Sequence, residues 1–143
     1  MKYRNCRTEN DFKREWIKRN RECFKDIFCI ETEETEKGFP DVIGIDHTHR
    51  AYFYEFKKAN KGYVKFQPSQ IAFYKKHTGI YIWVKILVEV NGVYYCKTVS
   101  AANIIDSLKD TSLRFNVKSS WIFCEDEADE EELEALERNN VKI

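Results

Sequence analysis

Two short apolar-rich runs, 41–45 (DVIGI) and 51–57 (AYFYEFK), flank the polar segment His47-Thr48-His49-Arg50. This pattern predicts two antiparallel strands joined by a tight turn. With the turn centred near Thr48, Asp41 on the first strand comes opposite Glu55 on the second. Strand alternation puts Phe53, Glu55 and Lys57 on one face and Tyr52, Tyr54 and Phe56 on the other.

The period changes on either side of this hairpin. Across 9–24, Phe12, Trp16, Ile17, Cys23 and Phe24 recur at helical spacing in a charged background with Thr8 as N-cap, which predicts an amphipathic helix. Residues 26–32 predict a first strand, and the glutamates Glu31, Glu33, Glu34 and Glu36 a solvated loop. Residues 58–66 read as a basic loop, and Pro68-Ser69 opens a helix over 69–77 in which Gln70 and Tyr74 lie one turn apart on one face. The longest apolar run, 80–90, reads as a central strand covered on both sides. Asn91-Gly92 predicts a two-residue hairpin turn into a strand over 93–99. Ser100 caps a helix reaching 109, with Ile104, Ile105 and Leu108 on its buried side, and 121–124 reads as a last short strand. The fold class is therefore α/β with a mixed sheet, in the order αβββαβ followed by a hairpin strand and a helix.

The chain has 143 residues, 43% of them hydrophobic and 15% aromatic, enough for one core. One domain over 1–124 is expected, with 125–143 an acidic helical or frayed tail. Five scattered cysteines without a CxxC pair indicate neither a disulfide framework nor a zinc site. A charged N-terminus and no membrane-length apolar run predict a soluble, cytoplasmic protein. The zero formal net charge hides an asymmetry. Residues 1–124 carry 22 Lys and Arg against 15 Asp and Glu, a surplus of +7, while 125–143 carry nine acids against Arg138 and Lys142, or −7. A basic body is the electrostatic footprint of a nucleic-acid partner. Lys13, Arg14, Lys18, Arg19, Arg21 and Lys25 concentrate it on the first helix; Lys58, Lys61 and Lys65 are interleaved with Tyr63 and Phe66 downstream.

Asp41, Glu55 and Lys57 carry the candidate chemistry. Two carboxylates held together ionise poorly unless a cation joins them, and an oxygen-only donor set suits Mg²⁺ or Mn²⁺. A lysine beside them can hold the attacking water and offset charge building on a phosphodiester. His47 and His49 are expected at the exposed turn, and His77 at a helix end.

Pro40-Asp41 followed by Glu55-Phe56-Lys57 resembles the signature of the PD-(D/E)XK nuclease superfamily, whose core has the element order read above. Glu9 followed by Phe12 and Trp16 is similar to the first-helix glutamate pattern of Holliday junction resolvases of the Hjc type. The stretch from Glu55-Phe56-Lys57 through a basic loop and a Gln70-bearing helix to the apolar strand resembles RecU resolvases. Gln70 with Tyr74 also resembles the Q-x-x-x-Y element of RecB-type nucleases. The resemblance covers about residues 9 to 105. It implies a metal-dependent DNA endonuclease in which Asp41, Glu55 and the Phe56 carbonyl bind Mg²⁺ or Mn²⁺, and Glu9 binds a second ion or its water. Lys57 activates the water, Gln70 contacts water or DNA backbone, and Lys58, Lys61, Lys65, Tyr74, Lys13 and Arg14 meet DNA. A four-way junction cut symmetrically further implies a homodimer. Two alternatives remain open: a nuclease of linear or single-stranded DNA, and an idle nuclease-fold binding or inhibitor protein.

Overall fold

The computed structural model describes residues 3, 6–30, 38–90, 92–108 and 113–117. The expected strand at 121–124, the glutamates of the 31–37 loop and the acidic segment 125–143 lie outside the described residues. Among the described residues, three α-helices and a five-stranded mixed sheet form an α/β/α sandwich, the mixed architecture that the pattern predicts.

Helix α1 (Glu9–Asn20) begins where expected: the Thr8 hydroxyl accepts from the Asp11 N–H at 3.1 Å, supplying one donor of the first turn with its missing acceptor. A 3₁₀ turn (Arg21–Cys23) ends it short of Phe24. Strand β1 (Asp26–Cys29) pairs with β2 (Val42–Ile45), and β2 with β3 (Ala51–Lys58), both antiparallel. The β2–β3 register is the one set by a turn centred on Thr48, pairing Val42 with Tyr54 and Ile45 with Ala51. Asp46 fixes that turn by accepting from the Thr48 N–H at 2.8 Å, the Thr48 hydroxyl at 2.7 Å and the Arg50 N–H at 3.0 Å. Burial opposes its charge, but these donors hold its carboxyl below the usual range.

The basic segment after β3 is not simply a loop. It contains β4 (Tyr63–Lys65), antiparallel to β7 (Arg114–Asn116), and alternation there turns Val64 and Phe66 into the core. Phe66 is 1% exposed, so it stacks on no base. Helix α2 (Pro68–Lys76) then carries the chain over the sheet, and β5 (Ile82–Val90) runs parallel to β3. A crossover is required for parallel pairing, and α2 supplies it. Strand β6 (Val93–Ser100) returns antiparallel beside β5 through the expected hairpin, and Ser100 caps α3 (Ala101–Ser107) by accepting from Asn103 N–H at 3.2 Å.

The two faces of the sheet build separate cores. Phe12, Trp16 and Ile17 of α1 pack on Tyr52, Tyr54, Phe56, Trp83 and Leu87. On the other side α2 and α3 pack on Val84, Ile86, Val88 and Val99. Strand β5 is therefore covered on both faces, which is why its sequence is almost continuously apolar. No helix among the described residues is long and apolar enough to cross a membrane.

Candidate active site

Strand β3 outruns its neighbour. Pairing with β2 stops at Val42–Tyr54, while β3 continues to Lys58 against β5 on its other side, so the β2-facing edge from Glu55 onward is open. Carboxylates occupy that edge. The Phe56 N–H donates to Asp41 Oδ2 at 3.4 Å, and two residues on the Lys58 N–H donates to Glu9 Oε1 at 3.2 Å. A strand residue presents its N–H and C=O on the same side, so the Phe56 carbonyl also faces the open edge beside Asp41.

Glu55 meets Asp41 from the second face. The Asp41 N–H donates to Glu55 Oε2 at 3.3 Å, while Glu55 Oε1 accepts a short hydrogen bond from Gln70 Nε2. Glu55 is 4% exposed, and burial, then the Asp41 charge and a hydrogen bond shared with Asp41, push its carboxyl up to about 9, against the smaller opposing pull of Lys57. At neutral pH the metal-free pair thus holds a proton that solvated carboxylates would have released.

Gln70 joins this pair to Lys57. Its Oε1 accepts from Lys57 Nζ at 2.9 Å and from the Gln67 N–H at 2.9 Å, which fixes the amide with its NH₂ toward Glu55. Gln70 sits at the third position of α2, where the second of these contacts also caps the helix, so helix initiation and site geometry share one side chain. The Lys57 ammonium lies over the Phe66 ring, 5.3 Å from its centre, within the range of a cation–π contact. Gly38 holds the approach to Asp41 against α2: its φ is +87°, and a Cβ there would come within 2.2 Å of the Ser69 carbonyl oxygen.

Asp41, Glu55, Lys57 and Gln70 therefore form one hydrogen-bonded constellation. Glu9 shares the open edge but not the constellation. Its anchoring N–H, on Lys58, is two residue steps from that of Asp41, on Phe56, or about 6.6 Å along β3. Among the described residues no three His, Cys, Asp or Glu side chains gather closely enough to hold one ion. Glu9, expected to bind a second ion or its water, thus lies on the same edge at a position of its own.

The expectation that Tyr74 meets DNA is corrected. It is 1% exposed within the α2-face core, and its hydroxyl is buried without a partner among the described residues, so it cannot touch DNA. Burial first, and then the Glu55 and Asp41 charges, raise its hydroxyl pKa, which places it behind the site. Lys61, Lys65 and Arg14 are exposed and Lys13 is half-buried. Lys58 is committed locally, donating to the Arg7 carbonyl at 2.6 Å. His47 and His49 are at the exposed turn, as expected. Gln67 and Gly38 escaped the sequence reading, and Phe66 was read only as an aromatic beside the basic residues. Gln67 immediately before Pro68 was a legible N-cap position, whereas the other two roles depend on contacts between distant segments.

Comparison with protein-family models, curated proteins and solved structures finds no match to this chain.

Proposed function

We propose that this chain is a divalent-metal-dependent DNA endonuclease, and that a four-way junction is among the substrates it cuts. The observation that carries the reading is the pairing of the buried Glu55 with the half-buried Asp41 at an open strand end, linked through Gln70 to Lys57. A carboxyl raised to about 9 by burial and a neighbouring carboxylate marks a site that is short of positive charge. The donors offered there are all oxygens: Asp41, Glu55 and the Phe56 carbonyl. They fit Mg²⁺ or Mn²⁺, hard ions that retain waters and take phosphate oxygens, and unlike zinc require no histidine or thiolate.

Such an ion, when bound, would supply Lewis-acid polarisation of the phosphoryl oxygen and a more acidic water. The residues of the chain do the remaining work. Lys57, half-buried and held by Gln70 and Phe66, has a compact ammonium that can donate to the attacking water and to a nonbridging phosphate oxygen. Gln70 holds Lys57 and Glu55 in one geometry, so that a water between them faces phosphorus. Attack by that water breaks the bond to the 3′ oxygen and leaves a 5′-phosphate, the outcome the family resemblance implies. Glu9, farther along the edge, is placed to orient an outer water or a second ion.

The test is cleavage of a labelled four-way junction, a linear duplex and a single strand in Mg²⁺, Mn²⁺ or EDTA by wild type, Asp41→Asn and Lys57→Ala. Metal-dependent cutting that is lost in both variants is expected; paired symmetric nicks in the junction would add a homodimer with two sites. Absence of cleavage by folded wild type with either metal on all three substrates would refute the enzyme reading.

A further inference from the structure

The small sheet of β4 and β7 is packed on one face only. Its register pairs Tyr63 with Asn116, Val64 with Phe115 and Lys65 with Arg114. Val64 and Phe115 are buried in the core shared with α2 and α3, so alternation puts Tyr63, Lys65, Arg114 and Asn116, all exposed, together on the outer face. The Arg114 guanidinium lies over the Tyr63 ring, 5.9 Å from its centre, as a shared face requires. No acidic residue belongs to this face of the ribbon, and its two cations stand directly opposite each other, a placement that destabilises a ladder. The turn that leads into β4 adds a third cation. Asn60 and Tyr63 exchange N–H···O bonds of 2.8 and 3.1 Å around Lys61 and Gly62, whose φ values of +52° and +81° are those of a type I′ turn. Such a turn favours asparagine or glycine at its first position, yet this chain has an exposed lysine there. Neither Lys61 nor Lys65 has a side-chain hydrogen bond or ion pair among the described residues.

Two local preferences are thus overridden in the same sense, toward positive charge on a solvent-facing surface, and a polyanion lying across Lys65 and Arg114 offsets their repulsion. Duplex DNA fits that surface better than an unpaired strand. Single strands are held by rings on which bases stack, whereas here the exposed ring, Tyr63, already carries Arg114 over its face and Phe66 is buried. Two strands about 4.8 Å apart also suit the roughly 12 Å major groove of a duplex, which admits a two-stranded ribbon. The ribbon stands next to the candidate site. Phe66, one residue past Lys65, has its ring 5.3 Å from the Lys57 ammonium, and the Gln67 N–H donates to the same Gln70 Oε1 that accepts from Lys57. Lys65 is two residue steps from Gln67, at most about 7 Å of chain.

We infer that the outer face of the β4–β7 ribbon binds duplex DNA, with Lys61, Lys65 and Arg114 on its phosphates. Where the family resemblance implied separate lysine contacts from a loop, β7 brings Arg114 from a distant segment and makes the three cations one surface. The inference rests on the nuclease reading for the place of the scissile phosphate beside the ribbon, whereas binding on the ribbon requires neither metal nor cleavage. It narrows the substrate class to DNA with a paired arm next to the scissile phosphate.

The test is fluorescence anisotropy of a labelled duplex with the full chain in EDTA, over a range of salt, with a single strand of equal length as control. The proteins are wild type, the triple variant Lys61→Asn/Lys65→Thr/Arg114→Thr and the charge-keeping exchange Lys65→Arg/Arg114→Lys. Asparagine suits the left-handed turn position and threonine an exposed strand, so the triple variant keeps its fold, which circular dichroism melting verifies. It is expected to lower the slope of log affinity against log salt for the duplex by about 2.7, near 0.9 for each phosphate contact removed, and to change single-strand binding less. The exchange variant is expected to keep the wild-type slope. Should the triple variant melt early, Lys61→Asn alone decides in its place, with an expected fall of about 0.9. An unchanged duplex slope overturns the inference, and so does a single-strand loss equal to the duplex loss. It is also overturned if the exchange variant binds as poorly as the triple variant, or if the duplex fails to bind while a peptide of residues 125–143 binds wild type but not the triple variant, since the acidic segment of the chain would then be the occupant. Failure of the nuclease reading alone leaves these binding signatures in place without cleavage; failure of the ribbon alone leaves metal-dependent cleavage that Asp41→Asn abolishes, with a wild-type salt slope in the triple variant.

Discussion

Glu55 links the stability of the metal-free protein to pH in a direction opposite to that of most carboxylates. Its pKa is raised to about 9 in the folded chain, from an ordinary value of about 4.5 when the chain is unfolded. Between those values the folded state holds a proton that the unfolded state has lost, so the stabilisation is fully present below about pH 4.5 and disappears as pH rises through about 9. The slope for one proton is about 1.4 kcal/mol per pH unit, so the metal-free protein should lose about 2–3 kcal/mol between about pH 6 and 8. Glu55→Gln keeps the shape and mimics the protonated carboxyl: the amide oxygen still accepts from Gln70, and its NH₂ takes the place of the proton shared with Asp41. It loses the 3.3 Å contact from the Asp41 N–H, at a cost of about 1 kcal/mol. The variant should therefore show a nearly flat pH profile and exceed wild type in stability at about pH 8. Urea unfolding in EDTA across this range measures both slopes. Adding Mg²⁺ to wild type should reverse the trend, because binding releases the shared proton and tightens as pH rises. Parallel profiles for the two proteins in EDTA, or an equal Mg²⁺ stabilisation of Glu55→Gln, would refute the coupled pair.

Three further outcomes follow from the packing. Gly38→Ala combines a left-handed backbone with a Cβ 2.2 Å from the Ser69 carbonyl oxygen, so it should both lower the melting temperature and abolish cleavage by shifting α2 and Gln70 away from Asp41; full activity with unchanged melting would contradict the role assigned to that contact. Phe56→Ala removes a ring 2% exposed that packs edge-on against Phe12 at 5.4 Å and Trp16 at 5.4 Å, and should cost about 3–5 kcal/mol in urea unfolding. Gly44→Ala would drive a Cβ to 2.6 Å from the Phe24 ring and should cost about 1–3 kcal/mol by the same measurement, with the β2–β3 register and cleavage retained.

Much of the candidate site was legible because it lies on one hairpin. Alternation along 41–45 and 51–57, with a turn closed by Asp46, set Asp41 against Glu55 and sorted Lys57 from Phe56 by face. Caps at Thr8 and Ser100 were equally local, since a cap depends only on residues within one helical turn. Misreadings came where burial is decided by distant segments. The 58–66 stretch looks like a polar loop until β7 arrives, some fifty residues later, to pair with it and take Val64 into the core. Tyr74 looked available on its helix face because α2 alone does not reveal that this face lies on the sheet.

By itself, then, the sequence determined the hairpin register, the helix starts and the chemical identity of the acidic pair, all consequences of short-range periodicity and turn chemistry. Only the tertiary structure decided which groups would meet across long separations. Parallel docking of β5 beside β3 brings α2 over the sheet and Gln70 between Glu55 and Lys57, and the packing of α1 carries Glu9 to Lys58 and its cations to the rim of β1. The physical reason is that such contacts are bought with loop-closure entropy and repaid by apolar burial spread over both cores, a balance struck by the whole chain and written in no single segment of it.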